Sequence, residues 1–275
     1  MRTIAGDLTK DTRLCISLSG RPGNTGTRFH NYLYDALGLD YVYKAFTTTD
    51  ITAAIAGVRG LGIRGCAVSM PWKEDVIALV DEMEPSASAI ESVNTIVNTD
   101  GHLVAYNTDY LAIEALLSRH AVPTSGEVAV LGSGGMAKAT VAACANNGYS
   151  GVVVARNERT GAALASKYGF TWVPDLGPSR PHTIINCTPI GMEGGSDAGA
   201  LPVVMAAVDA AGVIFDVVPR PARTPLVAAG EERGKVTITG AEVMSLQALE
   251  QFVLYTGVRP DDALVAEATE YSRRV

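Results

Sequence analysis

The sequence predicts an α/β fold in two domains, and three observations carry that prediction. Short apolar runs alternate with stretches of helical periodicity through most of the chain, the pattern of parallel α/β architecture. Midway the pattern restarts with a new strand, glycine loop, helix and strand, "EVAVLGSGGMAKATVAACANNGYSGVVVARN". The segment from Ala241 onward is helical in pattern throughout. At 275 residues the chain has room for one large domain or two modest ones.

The first strand is read in "RLCISLS", and the loop "SGRPGNTGTRFHN" (Ser19 to Asn31) leads from it into a helix around "RFHNYLYDALG". Phe29, Leu33, Ala36 and Leu37 form a stripe that turns one face of this helix to a sheet. A second helix, "ITAAIAGVRGL", precedes a strand in "RGCAVSM". "VNTIVN" and "HLVAYN", joined by a tight turn containing Asp100-Gly101, read as a hairpin. The restart after "NTDYLAIEALLSRHAVPTSG" puts a boundary near Tyr106–Leu111. The expected division is residues 1–107, residues 108–240, and a helical tail, 241–275, that returns to the first domain.

Composition removes several classes of function. Apolar residues at 47% and charged residues at 19% are ordinary for a globular chain and argue against disorder. A net charge of -7 offers no footprint for nucleic acid or an anionic membrane surface. No stretch approaches the roughly 20 apolar residues of a membrane span, and the polar start lacks a signal-peptide core. Cys15, Cys66, Cys144 and Cys187 are scattered without ligand spacing, as are the four histidines. That reads as reduced thiols in a cytoplasmic protein with no metal site.

"GSGGMA" fits the G-x-G-x-x-G/A fingerprint between a strand and a helix. Gly132 permits the tight turn, Gly134 lets the backbone approach a pyrophosphate, and Ala137 lets helix and strand pack closely. Ser133, Gly135 and Met136 complete the loop, and the helix N-terminus supplies free N–H groups to phosphates. The next strand ends in "VVVARNERT", with Arg156, Asn157 and Arg159 where an NAD site wants an acidic residue. A guanidinium pairs with a phosphate that a carboxylate would repel, which favours NADP. A merely solvated Arg156 is the alternative.

In the first domain, "VSMPWKED" carries Ser69 and Lys73, "ESVNTIV" carries Asn94, and "AYNTDY" carries Asn107 and Asp109. Singly, these are a solvated lysine and a helix cap. Together with "GSGGMA", "ARN", "NCTPIGM", "FDVVPRPARTPL" and "SLQALEQF", in this order along almost the whole chain, they resemble the shikimate dehydrogenase family. The resemblance implies a substrate domain and a Rossmann-type NADP domain around a cleft. It also implies reversible NADP-linked oxidation of shikimate to 3-dehydroshikimate, a step in aromatic amino acid biosynthesis. Lys73 and Asp109 would be the catalytic pair. Asn94, Ser69 and Gln247 would contact substrate, and Val217 and Gly240 would lie along the cofactor. Thr188 ends a cofactor-domain strand on the side where ligands lie in such sheets.

The chain also departs from the family. Where relatives read Ser-x-Ser-Pro before a helix with histidine, this sequence has Asn24, Thr25, Gly26 and Thr27. Asn24, Thr25 and the N–H groups of a helix opening at Thr27 become the expected wall for a substrate carboxylate. Pro219 stands where the family often offers tyrosine, and Glu242 where a glycine usually follows Gly240. Losing one hydrogen bond to a charged group costs about 1.5–3 kcal/mol. These changes point to the divergent shikimate dehydrogenase-like subgroup, with weak shikimate turnover or another cyclic hydroxy acid preferred. Three alternatives stay open: an NAD-linked quinate/shikimate dehydrogenase, a methylenetetrahydrofolate dehydrogenase-like enzyme, and a non-catalytic NADP(H)-binding protein. Arg156 disfavours the first, "NTD" and the C-terminal glutamine the second, and Lys73 with Asp109 the third. Monomer and homodimer are equally compatible with the pattern.

Overall fold

The structure is a computed structural model and describes residues 8–274. In chain order it begins with β1 (Arg13–Leu18), α1 (Thr25–Ala36), β2 (Tyr41–Phe46), α2 (Ile51–Gly60) and β3 (Gly65–Val68). A 3₁₀ turn (Asp75–Leu79) leads to β4 (Glu82–Met83), α3 (Pro85–Ser88), β5 (Thr95–Thr99), β6 (His102–Tyr106) and α4 (Thr108–Arg119). Next come β7 (Val128–Leu131), α5 (Gly135–Asn146), β8 (Gly151–Val154), α6 (Glu158–Tyr168) and β9 (Thr171–Val173). These are followed by β10 (Thr183–Asn186), α7 (Met205–Ala210), β11 (Val213–Asp216), α8 (Pro225–Glu231) and β12 (Val236–Thr239). Two helices, α9 (Gly240–Thr256) and α10 (Asp262–Ser272), complete the order. The described residues form two compact units: one runs through Thr108 and resumes at Ser245, the other is Asp109–Met244.

The sheet of the first unit has the order β2-β1-β3-β5-β6-β4 and is mixed rather than parallel. β1 lies parallel to β2 and β3, while β3–β5 and β5–β6 are antiparallel. The hairpin is the reason. Asp100 and Gly101 both have positive φ, 51° and 88°, and a two-residue turn of this kind joins only antiparallel strands. Edge strand β2 escapes an apolar-run search because Tyr41, Tyr43 and Lys44 interrupt it.

Helix α1 opens at Thr25, two residues before the expected start. Its buried face is Phe29, His30, Leu33 and Tyr34; Ala36 is exposed and Leu37 is only half-buried beyond the helix end. The expected stripe follows apolar residues alone, whereas the helical period also turns a histidine and a tyrosine inward. The His30 ring stacks on Tyr43 with centroids 4.4 Å apart. Neither ring nitrogen has a partner in hydrogen-bonding geometry. Burial pulls the His30 pKa down to about 3, with the Gln251 side chain acting in the opposite direction. Helix α10 packs on α1, where the Tyr32 hydroxyl donates to Glu267 at 2.9 Å.

The sheet of the second unit is wholly parallel, with order β12-β11-β10-β7-β8-β9. The winding reverses between β7 and β10, so the ligand crevice of such a fold opens at the carboxyl ends of those two strands. β7, β10 and β11 are buried along their whole length, as strands covered on both faces must be. Among the described residues no helix is long and apolar enough to cross a membrane.

Candidate active site

The glycine loop sits where β7 ends. Gly132 has φ +109°, and a Cβ there would lie 3.3 Å from the Cys187 carbonyl oxygen, so both turn and packing require glycine. Gly134 is the extended N-cap of α5 and makes no side-chain cap. The first N–H groups of α5 therefore face outward without intrahelical acceptors, at the positive end of the helix dipole. Ser133 Oγ lies 2.8 Å from Thr160 Oγ1 on α6.

A groove of ≈ 960 Å³ opens along these strand ends. Of the expected cofactor residues, Gly132, Ser133, Gly134, Arg156, Asn157 and Thr188 line it. Gly135 and Met136 begin α5, and Ala137 is fully buried, as a packing residue should be. Arg159 is exposed on the first turn of α6 and does not line the groove. Asn157 caps α6 by accepting the Thr160 N–H at 3.2 Å, whereas the Arg156 guanidinium is exposed. Val217 and Gly240 also lie outside the lining. They meet each other, because a Cβ on Gly240 would overlap the Val217 and Val218 carbonyls. Asp175, Leu176 and Asp197 line the groove from loops, where no periodicity marks them.

Behind Thr188 lies a polar cluster that sequence reasoning missed. The register places Asn186, last in β10, opposite Asp216, last in β11. Asp216 is fully buried, and burial raises its pKa against three donors: Asn186 Nδ2 (3.0 Å), the Val218 N–H (3.1 Å) and the Thr224 hydroxyl (2.6 Å).

In the first unit, three motifs distant in sequence are stitched together. The Val93 N–H donates to the Lys73 carbonyl at 2.9 Å. Asn94, which is buried, accepts at Oδ1 from the Thr95 hydroxyl (2.8 Å) and from the Thr108 N–H (2.8 Å). Asp109, the first residue of the second unit, follows Thr108 in the first turn of α4, where a carboxylate suits the helix dipole. Lys73 is half-buried; Ser69 is exposed just beyond β3. Asn107 is committed to structure, its Nδ2 donating to the Ser92 carbonyl at 2.9 Å. Gln247 lies half-buried on α9. One turn further along, Gln251 donates to Thr95 Oγ1 at 3.0 Å and to the Asn94 carbonyl at 3.3 Å. The i, i+4 spacing of the two glutamines was the available signal for it. Asn24 and Thr25 are exposed, and Asn24 does not cap α1 with its side chain.

Glu242 forms a capping box with Thr239. Its Oε2 accepts the Thr239 N–H and hydroxyl, both at 2.8 Å, and its Oε1 lies 2.9 Å from His120 Nε2. Burial works to raise the Glu242 pKa, but Thr239 and His120 outweigh it and hold the carboxyl below its usual range.

A doubly wound parallel sheet with a glycine turn at its switch point, joined to a separate mixed-sheet unit, defines a two-unit protein of the Rossmann class. The profile of the shikimate dehydrogenase substrate binding domain matches residues 25–96. The shikimate dehydrogenase-like protein of Haemophilus influenzae is 54% identical over 267 residues, covering 97% of this chain and 98% of the relative. The solved structure of a shikimate 5-dehydrogenase-like protein, also 54% identical, superposes with a TM-score of 0.96 over 97% of this chain and 100% of its own. Shikimate 5-dehydrogenase of Thermus thermophilus, solved in complex with NADP(H) and shikimate, is 28% identical with a TM-score of 0.83, covering 94% of this chain and 99% of that one. The chain belongs to the shikimate dehydrogenase family of oxidoreductases.

Proposed function

We propose that this chain is an NADP-dependent dehydrogenase of a shikimate-like cyclic hydroxy acid. In this reading residues 1–107 bind substrate, 108–240 bind cofactor, and 241–275 complete the substrate domain. The observation that carries the reading is the stitching of Lys73, Asn94 and the start of α4, with Asp109 in its first turn, by backbone and amide hydrogen bonds. Removing hydride from a carbinol leaves a developing carbonyl, and the hydroxyl proton needs an acceptor. Lys73 and Asp109 hold and exchange that proton. Asn94 Oδ1 is occupied by Thr95 and Thr108, which leaves its Nδ2 to donate to a ring hydroxyl.

NADP rather than NAD is favoured by the exposed Arg156 guanidinium at the groove, which suits a phosphate on the adenosine ribose. Ser69 and Gln247 are further substrate contacts, and Asn24 with Thr25 replaces the family's serine pair against the carboxylate. By register one serine hydroxyl has become the Asn24 amide and the other is lost at Gly26, which weakens the hold on shikimate. The preferred acid is then either shikimate turned over slowly or a related ring acid.

The test is to incubate the purified protein with NADP and then NAD, scanning shikimate, quinate and other cyclic hydroxy acids for cofactor reduction. Turnover of at least one acid with NADP, lost in Lys73→Ala, is the expected result. If no acid is turned over above the Lys73→Ala control, the dehydrogenase reading fails.

A further inference from the structure

The cluster behind Thr188 fixes which way hydrogen bonds run at the edge of the groove. Asn186 Nδ2 faces two groups that only accept: the Asp216 carboxylate at 3.0 Å and the Ile190 carbonyl at 3.2 Å. Its Oδ1 faces a group that only donates, the Thr188 N–H at 3.1 Å. The carboxamide is therefore locked in one orientation. The Thr188 hydroxyl, 2.7 Å from the same Oδ1, must donate its proton there. Of its two lone pairs, one takes the Ile190 N–H at 3.3 Å. A hydroxyl has one donor and two acceptor sites, so a single lone pair is all Thr188 has left.

We propose that Asp216 and Asn186 form a polarity relay that holds Thr188 as an acceptor-only edge of the groove, selecting a sugar hydroxyl of the dinucleotide at that point. This rests on the reading of the groove as a dinucleotide site. Thr188 offers nothing to phosphate oxygens, which only accept. The phosphates belong at the donor end, formed by the α5 N-terminus and Arg156. Asp216 and Asn186 are buried, do not line the groove, and act as positioning residues.

A double-mutant cycle in NADPH binding, followed by fluorescence titration with melting temperatures recorded, tests the relay. Thr188→Val should weaken NADPH about tenfold, the worth of one neutral hydrogen bond. Thr188→Ser should restore binding. Asn186→Leu should weaken it equally, and the double variant no further. In Asn186→Asp the new carboxyl faces Asp216 and Ile190, both acceptors, and keeps its proton there. Its other oxygen still accepts from Thr188, so Asn186→Asp should keep NADPH affinity near that of the wild type. Losses that add in the double variant, or unchanged affinity in Asn186→Leu or Thr188→Val, would overturn the relay alone. A wild type that binds neither NADPH nor NADH overturns the dinucleotide reading and the relay with it.

Discussion

The two units build their polar edges from different material. In the second, the groove floor is main chain: the positive-φ turn at Gly132, the uncapped start of α5 and the carbonyl of Cys187 against which Gly132 packs. In the first, the polar edge is made of side chains that hold one another, with Asn94 and Gln251 bonded through Thr95 and Asn94 bonded to Thr108. A backbone site constrains only the few positions where a Cβ cannot fit. A side-chain site changes its ligand whenever one residue changes.

The largest expected effect separates the two edges. Lys73→Ala should lower kcat by about 10²–10⁴-fold, the usual worth of a general acid–base group. NADPH affinity, measured by fluorescence, should stay within about twofold; a parallel loss of affinity would merge the edges into one.

Next, Arg156→Asp should weaken NADP binding by roughly ten- to a hundredfold, from losing a charge-assisted hydrogen bond, and leave NAD binding little changed. Unaltered NADP affinity in a titration would remove Arg156 from the site.

Stability offers a subtler contrast, since the first unit buries a titratable ring whose nitrogens make no hydrogen bond, while the second pairs its buried carboxylate. Below about pH 6.5 the unfolded chain protonates His30, whereas the folded chain does so only near pH 3. The unfolded state therefore binds more protons in that window, and stability falls as pH falls. From pH 6.5 to 5 the loss from this residue is about 1.6 kcal/mol. Denaturant melts should show His30→Phe with a correspondingly flatter pH profile.

The smallest effect is at the capping box. Glu242→Ala should cost about 1 kcal/mol, read as a fall in melting temperature, with Glu242→Gln retaining part of it.

The elements most legible in the sequence were those dictated by backbone geometry. Asp100-Gly101 announces its turn and Gly132 its loop because few residues tolerate those dihedrals. Side-chain partnerships were less legible. Apolar patterning placed Ala36 in the core and passed over His30 and Tyr34, since a buried polar ring is invisible to a hydropathy rule. Gln251 and Asp216 depend on strands and helices brought together from far along the chain, 156 residues apart for Gln251 and Thr95. Their partners emerge only once register is known. Glu242 looked like a departure from the family and is, in this chain, the N3 member of a helix cap.

The interrupted course of the first unit bears on how the protein is made. Residues through Thr108 emerge from the ribosome long before those from Ser245 onward, which bring most of α9 and all of α10. The second unit is contiguous and can finish folding during synthesis, while α1 must wait for α10, the helix that packs on it. Completion thus runs against chain order.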